Sequence, residues 1–146
     1  MRKLIFLFTV LPFLGCIAYD PPAKQVSFNN KSKMNVLVCI TYSDTLSIEN
    51  IKELYDVNSI ENVNQVIHED YYVKSNNKED IVLLYWKMGN NYDNKIRFFV
   101  ISEKSIDEND WVNIDENQLY VKKMTYTIKQ LKKSNWEVTF NLTNQY

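Results

Sequence analysis

Glycine is nearly missing from this sequence, with Gly15 and Gly89 the only two in 146 residues. A loop that cradles phosphate groups needs several glycines close together, so the glycine-rich nucleotide-binding classes are excluded. Histidine is scarcer still, with His68 alone, and cysteine occurs only at Cys16 and Cys39. A structural zinc site needs about four soft or imidazole ligands, and too few are present. The net charge is −1, with no long basic stretch, so the strongly basic face that nucleic acid demands is not expected. Nor does any apolar run reach the roughly 20 residues a membrane-crossing helix requires. No cofactor is implied.

What the sequence does have is a patterned N-terminus. Met1-Arg2-Lys3 is positive, Leu4 to Leu14 is apolar, and Gly15 and Cys16 follow. A charged start, an apolar run of about 7–15 residues and a small residue at the cut form the pattern of a secretory signal. A buried core helix is the alternative. Pro12 within the run and Asp20-Pro21-Pro22 just after it both work against a stable helix.

Phe13-Leu14-Gly15-Cys16 resembles the lipobox of bacterial lipoproteins. The resemblance implies a diacylglyceryl group on the Cys16 thiol, cleavage before Cys16, and palmitate-type acyl chains in the membrane. Phe13 and Leu14 stand where Leu and then Ala or Ser are usual. Ordinary secretory cleavage, for example after Ala18, is therefore the rival reading and would release a free protein. Ile17 occupies the place where Asp favours inner-membrane retention in some bacteria, which points to the outer membrane.

The expected organisation is a signal peptide over 1–15, a lipid-anchored tether over 16–24 and a single mainly β domain over 25–146. Removing residues 1–15 leaves 131 residues and takes away Arg2 and Lys3, so the net charge of −1 becomes −3. That length is enough to bury a real core. At about 3.3 Å per residue the tether reaches at most on the order of 25–30 Å, which keeps the domain close to the membrane surface.

Within the domain, Gln25–Phe28 reads as a strand. Met34–Tyr42 is the strongest strand signal, apolar on both faces and therefore central. Ile48, Ile51, Leu54 and Tyr55 share one helical face after the N-cap candidate Ser47, and 56–64 reads as a loop. Further strands are expected over 66–73, 81–88, 95–102, 119–126 and 136–141. Ser105 with Glu108, and Thr127 with Gln130, have capping-box spacing. The first predicts a short helix carrying Ile106 and Trp111, the second a turn and a half anchored by Leu131. With glycine so rare, the pairs Asn29-Asn30, Asn76-Asn77 and Asn90-Asn91 are expected at turns, since Asn tolerates positive φ. The fold class is mainly β, an antiparallel β-sandwich with two or three short helices; a compact α+β fold with an antiparallel sheet is the alternative.

A second resemblance spans most of the mature chain. Asn30-Lys31-Ser32, Tyr42-Ser43-Asp44-Thr45, Thr127 with Leu131, and Asn135-Trp136 resemble the recurring features of small uncharacterised bacterial envelope lipoproteins. Ser43 stands where those proteins usually have Pro. The resemblance implies the lipoprotein class and adds no site.

Candidate chemistry is sparse. Cys39 lies in the apolar run Val36–Ile40 and reads as a small buried hydrophobe. His68, flanked by Glu69 and Asp70, would be needed to activate it in a thiol hydrolase, yet no nucleophile motif surrounds Cys39. Asn113, Asp115 and Asn117 mimic positions 1, 3 and 5 of a calcium loop. Gln118 at the sixth place and Met124 at the twelfth break that pattern, so a capped helix and polar loop fits better. Aromatics are in excess. Tyr55, Tyr71, Tyr72, Tyr92, Tyr120 and Tyr146 lie in or beside polar stretches, where aromatics stack on sugars or anchor partners; filling the core and its rim is the plainer role for most of them and for Trp86, Trp111 and Trp136. Asp44-Thr45-Leu46 resembles a bacterial O-glycosylation site, with Thr45 as acceptor. Asn30-Lys31-Ser32 and Asn141-Leu142-Thr143 match the N-glycosylation pattern. The lysine pairs at 122–123 and 132–133 read as solvated. Three functions follow: a non-catalytic envelope module that binds the membrane through lipid on Cys16 and takes an envelope protein or glycan as partner, an immunity or inhibitor lipoprotein against a toxin or hydrolase, and, least supported, a small hydrolase.

Overall fold

A computed structural model of the chain describes residues 24–55, 71–83 and 94–142. The signal, Cys16, His68, Glu69, Asp70, Trp86, Asn90-Asn91, Tyr92 and Tyr146 lie outside these residues, as do the side chains of Leu54 and Tyr55. The described elements are β1 (Lys24–Asn30), β2 (Val36–Thr41), α1 (Ile48–Tyr55), β3 (Tyr72–Val73), β4 (Asn77–Leu83), β5 (Lys95–Ser102), α2 (Glu103–Glu108), α3 (Trp111–Glu116), β6 (Lys122–Thr127), α4 (Ile128–Lys133) and β7 (Glu137–Phe140). They form two sheets, ordered β4-β1-β7 and β3-β2-β5-β6. All pairings are antiparallel except β1 with β7. The fold is thus mainly β, with four short helices among the described residues.

The apolar runs explain the layering. β2 and β5 occupy the centre of the four-stranded sheet, and every residue of β2 and of Ile96–Ile101 is buried. Strands covered on both faces read as continuous apolar runs rather than alternating ones. Register places Val38, Ile40, Phe98, Val100 and Met124 on one face, and Leu37, Cys39, Phe99 and Ile101 on the other. Both faces join Val26, Phe28, Ile81, Val138 and Phe140 of the smaller sheet and Ile51, Trp111 and Ile114 of the helices in one continuous core. Each large apolar side chain so buried contributes about 1.5–3 kcal/mol relative to exposure. Phe98 meets Tyr126 edge-on at 5.8 Å, and Phe99 meets Tyr120 at 5.0 Å. The outer face of the small sheet is wet: Ser27 donates to Asp80, and Lys78 pairs with Glu137.

Several boundaries differ from the sequence reading. Asn29 and Asn30 are not turn residues; both belong to β1 and pair with β4 and β7. The Asn30 side chain supplies the turn bonding itself, accepting from the backbone N–H and hydroxyl of Ser32. Asn76 does turn with φ 53, but Asn77 already begins β4. The helix expected to carry both Ile106 and Trp111 is two helices. Ser102 caps α2, accepting from Ser105 N–H, and Asp110 restarts the chain as the cap of α3. β6 begins at Lys122 rather than Leu119, because Leu119 N–H bonds back to Ile114 O and Tyr120 N–H back to Gln118 O. Trp136 sits before β7 with φ 61. That conformation is costly for a bulky residue, and two bonds hold it: Trp136 N–H to Leu131 O at 2.7 Å, and Ser27 N–H to Trp136 O at 2.9 Å. α4 carries the chain from β6 in one sheet to β7 in the other, where β7 runs parallel to β1.

Candidate functional site

The described feature that combines exposure with rigidity is the loop after β2. Thr41 ends the strand, and its Oγ1 accepts from Ser43 N–H at 3.1 Å. Ser43 Oγ in turn accepts from Thr45 N–H at 3.3 Å. Hydroxyl-to-backbone bonds of this kind tighten a turn. Asp44 and Thr45 are exposed at its tip, while Leu46 is buried at its base.

Three side chains from other elements clamp this loop from beneath. Arg97 of β5 is only 4% exposed. Its Nη1 donates to Tyr42 O at 2.7 Å, and its Nε donates to Asp44 Oδ1 at 3.0 Å. Lys123 of β6 donates to both the carbonyl and the carboxylate of Asp44, at 3.0 and 3.2 Å. The bond from Lys123, reinforced by that from Arg97, holds the Asp44 carboxyl below its usual range. Gln118 is the third clamp. Its Oε1 accepts from Leu46 N–H at 3.1 Å, and its Nε2 donates to Leu46 O at 2.8 Å and to Asp115 O at 2.6 Å. Asp115 Oδ2 caps the following helix start by accepting from Ile48 N–H.

Sequence reasoning singled out Asp44 and Thr45 but missed Arg97, Lys123 and Gln118. Arg97 carried a legible signal: it is the lone charge inside Ile96–Ile101, and a buried guanidinium must be bonded. Gln118 carried none, because its role depends on the positive φ that turns it back toward Leu46.

Among the described residues, the remaining candidates other than Asp115 do not converge with this loop. Cys39 is a buried free thiol, and burial pushes its pKa far up, so the nucleophilic thiolate is suppressed. Asn113 and Asn117 bond to each other one turn apart on α3, while Asp115 faces Ile48; they do not form a loop of ligands. No group of three or more His, Cys, Asp or Glu side chains suited to a metal ion occurs among the described residues. Tyr71 and Trp111 are buried, and Tyr72, Tyr120 and Trp136 are half-buried; these aromatics fill the core and its rim.

At the opposite end of β2 lies a closed corner. Asn30 is fully buried, and its Nδ2 bonds to the carbonyls of Met34, Val73 and Lys74 at 2.8, 3.3 and 3.1 Å. An amide so engaged is sequestered from N-glycosylation. Beside it Asn35 accepts from Ser75 N–H and donates to Glu103 Oε2, and Tyr72 OH donates to Glu103 Oε1 at 2.7 Å. That bond to Glu103, with partial desolvation, pushes the Tyr72 phenol up to about 12. Among the described residues no helix is long and apolar enough to cross a membrane. Comparison with family models, curated proteins and solved structures returns no match to this chain.

Proposed function

We propose that the chain is a non-catalytic accessory or binding module of the bacterial envelope, held at the outer membrane by lipid on Cys16. The observation that carries this reading is the Arg2–Cys16 signal pattern followed by a short reach to Lys24, where β1 starts. Two further observations support it. The Cys39 thiol is buried and disarmed. Asp44 and Glu137, whose carboxyls are held below their usual range, are each paired with a cation that ties elements together. Cross-linking in intact cells tests the reading. The anchored protein is expected to capture the same envelope protein or glycan repeatedly, and a Cys16→Ser variant to lose it. Capture of nothing by either form contradicts the proposal.

A second reading, an immunity or inhibitor lipoprotein, is favoured by the clamped loop. A loop already held in one conformation binds a protein cleft with little ordering cost. Thr45→Glu is then expected to abolish protection against the toxin or hydrolase, whereas Thr139→Glu, exposed on the far sheet, leaves it intact. The exposed Thr45 hydroxyl also fits the O-glycosylation reading of Asp44-Thr45-Leu46. Intact mass of the envelope-purified protein, compared with Thr45→Ala, separates these roles: a glycan disappears with the substitution or was never there.

A further inference from the structure

We infer that the exposed lysines of α4 dock the domain, face down, on the anionic phospholipid surface of the bilayer that holds the Cys16 lipid. The inference rests on the lipid-anchor reading and adds an orientation to it.

Charge is segregated along the chain. From Asn117 to Trp136 there are five lysines and no Asp or Glu; from Glu103 to Glu116 there are six acidic residues and one lysine. Lys129, Lys132 and Lys133 of α4 are exposed and have no acidic partner among the described residues. Lys132 and Lys133 also occupy the last turn, where the helix dipole favours cations.

The fold brings these lysines to the place where the tether begins. β1 and β7 run parallel with Ser27 opposite Glu137, and Ser27 N–H donates to Trp136 O at 2.9 Å. Lys133 is three residues before Trp136, and Lys24 is three residues before Ser27, about 10 Å along an extended strand. The chain leaving Lys24 toward Cys16 therefore starts at the end of the small sheet where the chain from α4 enters β7. The acidic α2 starts at the other end, where Glu103 N–H donates to Asn35 O at the closed corner.

Energetics agree with this placement. A short tether holds the domain at an effective concentration on the order of millimolar. Each lysine near an anionic surface adds about fivefold to the docked population, and three together on the order of 100-fold. This attraction acts within a Debye length of about 10 Å, a range the tether keeps within reach.

The test uses the full lipidated protein in vesicles of phosphatidylcholine alone and of phosphatidylcholine mixed with phosphatidylglycerol. Reductive methylation of each lysine is read by mass spectrometry. On the anionic vesicles Lys129, Lys132 and Lys133 are expected to label several-fold more slowly, while Lys31 and Lys74 at the closed corner keep their rates. High salt is expected to abolish the difference. The variant Lys129→Glu/Lys132→Glu/Lys133→Glu, with folding checked by circular dichroism, is expected to lift any protection from neighbouring α4 amides in hydrogen exchange. Lipidated protein whose α4 lysines label equally on both vesicles overturns the docking and leaves the anchor standing. An intact mass with no lipid on Cys16 overturns the anchor, and the docking with it.

Discussion

At the corner before β2, Asn30 buries a neutral amide whose two ends bond to the backbone carbonyls of Met34, Val73 and Lys74 and to Ser32. At the loop after β2, Arg97 buries a charge, and Asp44 answers it from a side chain that is 76% exposed. The same strand thus ends in two kinds of polar joint. The corner is dry, so any group it loses stays unpaired. The loop is wet on its outer side, so water replaces part of what is lost there. This difference sets the order of the expected effects.

Asn30→Ala is expected to cost the most, about 2–4 kcal/mol of stability, because it strands several buried groups at once. Urea unfolding measures it, and a loss below about 1 kcal/mol would contradict the dry-corner account. Arg97→Met keeps the apolar stem and removes the charge. Tyr42 O loses its donor while Asp44 turns to solvent and Lys123, so the cost is about 1–3 kcal/mol. Gln118→Ala is milder, about 1 kcal/mol, and its clearer signature is faster hydrogen exchange at Leu46 N–H, which the amide now protects.

Two titrations sharpen the comparison. Tyr72 has its folded pKa raised from about 10 to about 12. The folded state therefore holds this proton more tightly, and the contribution is complete below about pH 10 and lost as pH rises through about 12. Tyr72→Phe is expected to remove that alkaline loss from the stability profile. Asp44 has the opposite sign. Its folded pKa is lowered, so its contribution is complete above the ordinary carboxylate range and fades as pH falls through the folded value. Asp44→Asn is expected to flatten that acid limb only slightly, the smallest effect of the set, because Asn keeps an oxygen facing Arg97 and the solvent side of Asp44 is screened.

Long apolar runs and capping residues were the legible part of the fold. β2, β5 and the α4 capping box follow directly from them, since Thr127 and Gln130 cap reciprocally and Leu131 is buried as its position demanded. Asn30 was illegible because an amide in a strand and an amide in a turn look alike until the second corner, Val73-Lys74, closes on it. The split between α2 and α3 was missed because Ser105, a good cap by type, lies inside a helix that Ser102 had already started. The parallel pairing of β7 depends on which sheet α4 returns to, a long-range choice that local periodicity does not encode. Of the candidate loop, Asp44 and Thr45 were legible as residues. The clamp that makes them rigid was not, since Arg97, Gln118 and Lys123 lie 53, 72 and 79 residues from their partners.

The proposed anchoring rests on Cys16, and the mass of the mature N-terminal peptide from purified envelopes tests it. The expected result is a chain that starts at Cys16 and carries diacylglyceryl on its thiol, with further acylation of the new amino group. A chain that starts after Ala18, or one that retains residues 1–15 with a free Cys16 thiol, would contradict it.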